Sequence, residues 1–357
     1  MSHALIVEAL RSPRGRGNDK GALRNLKPVD LLAQQLEALA SRTLIQTAQV
    51  SDVYMGCVTQ TADQGANIAK LALIKAGWDD CVPGLSINRY CASGLSAVHM
   101  AAQEAMSCDS LAVGGGIEMM SRVPMASDKG PLTHDFEFQS QTGLIPIGIA
   151  ADVIATQEGF SRQLCDDYAL ASQQRAVAAR DRGHTRAMTE VHDETGAVLL
   201  AQDETPRANT SLDSLAAIQP AFAAMAEKYG IDKLMCHRYG LSKIDHVQHA
   251  GNSPAMADGA SAVLVASPDA AQRAGLKARA KILATATVSA RKAPHPNQAC
   301  KSNTSTSALS AWSMTKPLSP CISKASPQAR ACPLACTLPR NTCTYALRAG
   351  SNTMWAL

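Results

Sequence analysis

No stretch of this chain approaches the ~18 consecutive apolar residues that a membrane-spanning helix requires. Met1-Ser2-His3 leads directly into a β-forming run, without the basic and apolar regions of a secretory leader. Cytosol is therefore the expected compartment, and no membrane partner is expected. Paired cysteine spacing is also lacking. Six of the 11 cysteines are scattered over residues 1–287, which predicts reduced thiols rather than a disulfide framework. Cys332-x-x-x-Cys336 is half a metal site without a second pair at suitable spacing, so no metal is expected. Gly114-Gly115-Gly116 has no Lys-Ser/Thr after it, and close packing explains these glycines better than phosphate binding does. Acidic residues run out early: the last is Asp269, and residues 288–357 hold eight basic residues against none.

What is present is a chain with 46% hydrophobic and 18% charged residues, enough for a sizeable core and for about two domains. Short β-runs alternate with helix formers. The pattern predicts strands at 4–7, 53–58 and 85–88, helices at 28–40 and 67–76, a helix following residue 91, and a strand at 111–113. This alternation predicts a layered α/β domain with a largely parallel buried sheet. Residues 119 to 241 read differently. They offer one long amphipathic helix (164–182), a hairpin at 189–200 around Glu194-Thr195-Gly196, and otherwise polar loop, the pattern of an insertion. The α/β pattern resumes at Val247, with a strand at 261–266, a helix at 269–274 and a strand at 279–287.

The richest segment is Asn88-Arg89-Tyr90-Cys91-Ala92-Ser93-Gly94-Leu95-Ser96-Ala97, where a β-run turns into a helix and puts Cys91 at the first helical turn. A free thiol has a pKa near ~8.5, so a reactive cysteine needs a helix N-terminus or a basic neighbour. The helix start favours a thiolate by about 0.3–1 kcal/mol. A histidine base is needed as well. A buried structural cysteine is the competing reading, since free Cys packs like a small hydrophobe. Ser93-Gly94 tips the balance, because small residues after a nucleophile admit a substrate and expose N–H groups to an oxyanion.

Asn-x-x-Cys-x-Ser-Gly resembles the nucleophile motif of the thiolases. Further resemblances follow in that family's order: Glu8-Ala9-Leu10-Arg11-Ser12-Pro13-Arg14-Gly15, Lys27-Pro28-Val29-Asp30, Gln64-Gly65-Ala66-Asn67 and Gly114-Gly115-Gly116-Ile117-Glu118-Met119-Met120-Ser121. Asp203-Glu204-Thr205-Pro206-Arg207, Ala250-Gly251-Asn252-Ser253 and Asp258-Gly259-Ala260 complete the set, which stops at about residue 287. The resemblance implies an α/β fold, a thiolase-like layered sandwich with an inserted loop domain, its second half incomplete here. Residues 1–118 and 243–268 would form the N-terminal domain, 119–242 the inserted coenzyme A-binding loop domain, and 269–287 the start of the C-terminal domain. Residues 288–357 would be an aberrant, disordered tail.

Two readings compete for that tail. Its basic, Ser/Pro-rich composition is that of a nucleic-acid-binding arm. A reading-frame shift just after Thr287 explains it better, and no nucleic-acid partner is expected. Trp312-Ser313-Met314-Thr315-Lys316-Pro317-Leu318-Ser319 can be encoded by TGG AGC ATG ACG AAG CCN TTN TCN. Read from the third base of the Trp codon, this gives Glu-His-Asp-Glu-Ala and then a codon open to Phe. Thiolases carry Asn/His-Glu-Ala-Phe in this region, and the Trp and Met codons have no synonyms.

By the same resemblance Cys91 would accept the acyl group, and coenzyme A or a second acyl-CoA would then take it. A histidine in Gly-His-Pro-x-Gly and a second cysteine before a glycine run would complete the machinery. Neither motif exists here, and Ala293-Pro294-His295-Pro296-Asn297 lacks the flanking glycines. Arg207 would meet the nucleotide portion of coenzyme A with Ser214 nearby; a surface salt bridge from Arg207 to Asp203 or Glu204 is the alternative. Two departures stand out. Pro146-Ile147-Gly148 replaces His-Met-Gly, a pattern associated with longer or bulkier acyl chains. Asn252-Ser253-Pro254 replaces Asn-x-Ser, so that Ser253 would compensate by one position. His246 and His249 read as structural or surface residues, with His249 able to approach the site.

The expected function is an acyl-CoA C-acyltransferase of β-oxidation, a homodimer or homotetramer with acyl-CoA as substrate and no permanently bound cofactor. As written, the chain is expected to be inactive and to expose an apolar patch where its second half would pack. A non-catalytic acyl-CoA-binding or interaction protein using the basic tail is the alternative from another class. A decarboxylating condensing enzyme shares the architecture, but Arg207 and the long insertion favour the thiolase.

Overall fold

The computed structural model describes residues 3–287; the tail and the frame shift read for it lie outside the described residues. The chain opens with β1 (Ala4–Arg11) and the short β2 (Gly15–Arg16), followed by α1 (Pro28–Thr43) and β3 (Val50–Gly56). Pro28 pre-sets the first turn of α1, and Leu31, Leu32, Leu36 and Leu39 recur at helical spacing on its buried face. Next come α2 (Ile68–Lys75), capped by the Asn67 side chain, β4 (Gly84–Ile87), α3 (Ser93–Cys108) and β5 (Leu111–Met119).

The inserted segment holds α4 (Pro131–His134), α5 (Phe136–Thr142), α6 (Ile147–Glu158) and α7 (Arg162–Asp181). A hairpin of β6 (Val191–His192) and β7 (Val198–Leu200) comes next, then α8 (Leu212–Ala216), α9 (Ala223–Lys228) and α10 (Ile231–Tyr239). The long helix and the hairpin match the sequence pattern, whereas the stretches expected as polar loop are short helices. Side chains of Asp135 and Ser211 cap α5 and α8, and left-handed Gly143, Gly159 and Gly240 end α5, α6 and α10. Elements this short and polar carry no hydrophobic period that would announce them. They enclose a core of their own, built from Ile145, Ile149, Val153, Ala226, Met235 and Ile244.

β8 (Ala257–Ala266), α11 (Pro268–Arg273) and β9 (Ala280–Ile282) close the described chain. The main sheet runs β4-β3-β5-β8-β1-β9, with β2 paired to β8. It is mixed rather than largely parallel. Crossover helices α2 and α3 make β3, β4 and β5 parallel, whereas β8 arrives from the insertion and lies antiparallel to both β5 and β1. β9, at the position read as the opening of a second half, pairs antiparallel with β1.

The two faces of the sheet are covered unequally. Leucine-rich α1 with α2 and α11 fills one face, in the core that includes Leu5, Val7, Met55, Val113 and Leu264. The other carries α3 through Ala97, Val98, Ala101, Ala102 and Ala105, with Ile6, Ala9 and Ile87 partly buried beside it. Small residues on both sides bring α3 close to the strands. A Cβ on Gly114 would come within 2.5 Å of the Val98 Cα, and one on Gly56 within 2.4 Å of the Gly94 nitrogen. The glycine run therefore serves packing.

Candidate active site

Between β4 and α3 the chain turns over residues 88–92. Asn88 donates through Nδ2 to the Val58 carbonyl at 2.9 Å, and its Oδ1 accepts the Tyr90 N–H at 2.8 Å. Ser93, buried at the first position of α3, accepts the Arg89 N–H through its hydroxyl at 2.7 Å and donates to the Tyr90 carbonyl at 2.6 Å. Tyr90 stands in the left-handed region with φ of 49°. Cys91 follows it, exposed, one residue before the N-cap Ala92, which supplies no side-chain cap. The helix thus begins two residues later than the sequence suggested, and its uncapped start still adjoins the thiol.

Ser93 also has a task in the turn itself. The serine hydroxyl is committed to the turn, and a Cβ on Gly94 would meet only the Gly115 backbone, at 3.6 Å. Arg89 donates from one guanidinium nitrogen to Ser96 Oγ at 3.0 Å and to Thr287 Oγ1 at 3.4 Å. The described chain therefore ends beside the cysteine turn. His99, buried on α3, is held below its ordinary pKa by burial and then by the Arg89 cation, which keeps it neutral. Cys57 offers no rival nucleophile: burial, and then the charge of Glu118, push its thiol up to about 12. Glu118 instead accepts the Val58 N–H at 2.7 Å and the Gln64 amide at 2.8 Å, fixing the loop after β3.

A second cluster lies on the inserted segment. Asp203 and Glu204, the competing partners for Arg207, are engaged elsewhere. Arg11 grips Asp203 with two bonds of 2.7 and 2.9 Å, and Glu204 accepts the N–H groups of Arg16 and Ala22. Burial pushes the Asp203 carboxyl up, but the bonds from Arg11 and Arg14 outweigh it and hold it below the usual carboxylate range. Arg207 donates its N–H to Gln173 Oε1 at 2.7 Å and a guanidinium N–H to the Gly251 carbonyl at 3.1 Å. Beside it is a cavity of about 220 Å³ bordered by Leu170, Gln173, Gln174, Val177 and Thr210.

Ser253, half-buried, lies two residues beyond Gly251. Ser214 is exposed on α8, where its hydroxyl accepts the Ser211 N–H and donates to the Ser211 carbonyl in a capping box. Arg162 joins these parts. It pairs with Asp166 at 2.8 Å and donates to the Leu215 and Ile218 carbonyls, while Asp166 accepts from His249 at 2.7 Å and from Asn252 at 3.0 Å. Burial raises the Asp166 carboxyl, but its bonds to His249, Arg162 and Asn252 outweigh this and hold it low. The fully buried His249 accepts the Gly251 N–H on Nδ1, so its proton lies on Nε2, toward Asp166. It is a structural residue, as is His246. Arg162, Asp166 and His249 thus tie α8 to the 249–252 loop whose Gly251 carbonyl holds Arg207, and Cys91, on the β4–α3 turn, takes no part in these bonds. The i, i+4 spacing of Arg162 and Asp166 on α7 was readable in sequence, whereas their further partners, Leu215, Ile218, His249 and Asn252, lie on other elements and left no such signal.

Comparison with known proteins decides the family. Residues 4–228 match the thiolase N-terminal domain. The chain belongs to the thiolase family. The 3-ketoacyl-CoA thiolase of Erwinia tasmaniensis is 35% identical over 302 residues, spanning 81% of this chain and 70% of that protein. The enzyme of that name from Serratia proteamaculans is also 35% identical over the same shares, and the one from Yersinia pestis is 34% identical over 300 residues. In this thiolase residues 88–92 form the turn into α3, with Cys91 exposed just before the helix. No described helix is long and apolar enough to cross a membrane.

Proposed function

We propose that this thiolase is an acyl-CoA C-acyltransferase of β-oxidation, with Cys91 as its acyl acceptor and coenzyme A or an acyl-CoA as its substrate. The observation that carries the reading is the exposed Cys91 thiol at the uncapped start of α3, inside the Asn88–Gly94 motif. Attack of the thiolate on the 3-oxo carbonyl breaks the carbon–carbon bond to the departing acetyl-CoA, whose enolate takes a proton from water because the second cysteine motif is absent, and leaves an acyl-thioester on Cys91. Coenzyme A then takes the acyl group and frees the sulfur. Arg207 and Ser253 hold the nucleotide and pantetheine portions, with Ser214 at the rim. No resident cofactor is part of the scheme, and the cytoplasm is the proposed compartment.

Neither the activating histidine motif nor the second cysteine motif is in the sequence, so turnover is proposed to be lost in the chain as written. Loss of a general base alone slows such steps about 10²–10⁴-fold. The test is to incubate the full chain with a 3-ketoacyl-CoA and to read the mass of the Cys91 peptide. An acyl group on Cys91, absent after Cys91→Ala and accumulating without catalytic turnover, is the expected result. Tight coenzyme A binding with an unmodified Cys91 would instead favour the non-catalytic binding protein. A homodimer or homotetramer is part of the proposal, supported by the open β4 edge of the main sheet.

A further inference from the structure

We propose that Ser93 is a positioning residue for Cys91: its hydroxyl holds Tyr90 in the left-handed region and so fixes the direction in which the thiol leaves the turn. The inference rests on the reading of Cys91 as acyl acceptor. A residue with a Cβ takes a φ of 49° at a cost, so something must hold it there. Packing of the ring does not, since Tyr90 is 63% exposed. Hydrogen bonds do. Asn88 Oδ1 takes the N–H of Tyr90 at 2.8 Å, and Asn88 is itself tied to the Val58 carbonyl. The Ser93 hydroxyl takes the preceding N–H, that of Arg89, and gives its proton to the Tyr90 carbonyl, adding to the backbone bonds from Ser93 N–H to that carbonyl at 3.0 Å and from Ala92 N–H to the Arg89 carbonyl at 3.1 Å. With Ser93 only 3% exposed, water does not compete for these bonds. Cys91 sits between the two clamped points, so its Cβ direction follows from the Tyr90 conformation.

The residues around the thiol thus acquire defined tasks. Asn88 and Ser93 hold the backbone and Tyr90 bears the strain, while Gly56 and Gly114 on the strands let α3 settle on the sheet. With the clamp released, the turn no longer holds the thiol in one place beside the start of α3.

Site-resolved labelling of the full chain with iodoacetamide tests this, with exposed Cys81 and Cys108 as references on other elements. Ser93→Ala is expected to lower the labelling rate of Cys91 at neutral pH about two- to fivefold against both references. Adding Tyr90→Gly is expected to restore the rate, because glycine takes the left-handed conformation without cost. An unchanged ratio in Ser93→Ala overturns the proposal, as does a lowered ratio that Tyr90→Gly fails to recover. If Ser93→Ala exposes buried Cys57 to the reagent, the fold has opened and Tyr90→Gly alone decides. A parent-like Cys91 rate then supports the clamp, and a changed rate overturns it. Acylation is read separately on the same proteins. A parent chain that follows the expected labelling pattern but takes no acyl group refutes Cys91 as acyl acceptor and leaves the clamp standing.

Discussion

Arg207 commits one of its five guanidinium N–H donors to the Gly251 carbonyl and is otherwise exposed beside a cavity of about 220 Å³. That is a suitable state for a residue meant to receive an anion or an adenine face. Arg207→Ala is expected to weaken coenzyme A binding about fivefold, equivalent to about 1 kcal/mol, a value in keeping with an exposed cation. Arg207→Lys should restore little, since an ammonium cannot both bond and stack as the planar group does. Isothermal titration of the full chain measures both, and unaltered affinity in Arg207→Ala would remove the residue from the site. Cys91 and Arg207 could be put forward from sequence because each sits inside a contiguous motif. The network that carries the 249–252 loop was not, because Asp166 and His249 are 83 residues apart and neither segment is distinctive on its own.

The elements of the first layer were readable for a related reason: apolar residues recur with the period of a strand or a helix wherever one face is buried. What lay beyond that signal was direction and assembly. β8 has the alternation of a strand, yet nothing in that alternation says that it lies antiparallel between β5 and β1. In the insertion, a titratable bond does part of the work of a core. His246 is bracketed by two carboxylates, with Nδ1 2.8 Å from Asp152 of α6 and Nε2 3.0 Å from Asp232 of α10. Both contacts are hydrogen bonds only if the ring carries two protons. Burial pulls its pKa down, but the bonds to Asp232 and Asp152 outweigh that, so the folded value lies above the ordinary one. Its contribution is therefore complete below the unfolded value of about 6.5 and is lost as pH rises through the folded value. Thermal unfolding across that window should show a fall of about 2–4 °C in Tm with rising pH. Asp232→Asn should flatten the fall, and a parent chain whose Tm does not drop there would show that the bracket does not hold α10.

At the scale of the molecule, the sheet has one side that its own described chain leaves unfinished. β4 pairs with β3 alone among the described residues, so its outer N–H and C=O groups form an open edge. Natural sheets blunt such edges with charge, proline or cover. β4 instead presents Leu85, 42% exposed, and α2 beside it presents Leu71 and Ile74 at 45% and 59%. An apolar rim along an open strand is a surface that a second copy covers by antiparallel pairing, two edges joining into one continuous sheet about a twofold axis. Leu85→Lys places a charge in the middle of that contact while leaving the strand's own pairing with β3 intact. The full chain is expected to elute with twice the protomer mass in light scattering at micromolar concentration, and Leu85→Lys to shift the population to monomer with its secondary structure retained. A dimer that survives the substitution unweakened would move the interface to another face, and the apolar rim of α2 and β4 would then need a different occupant.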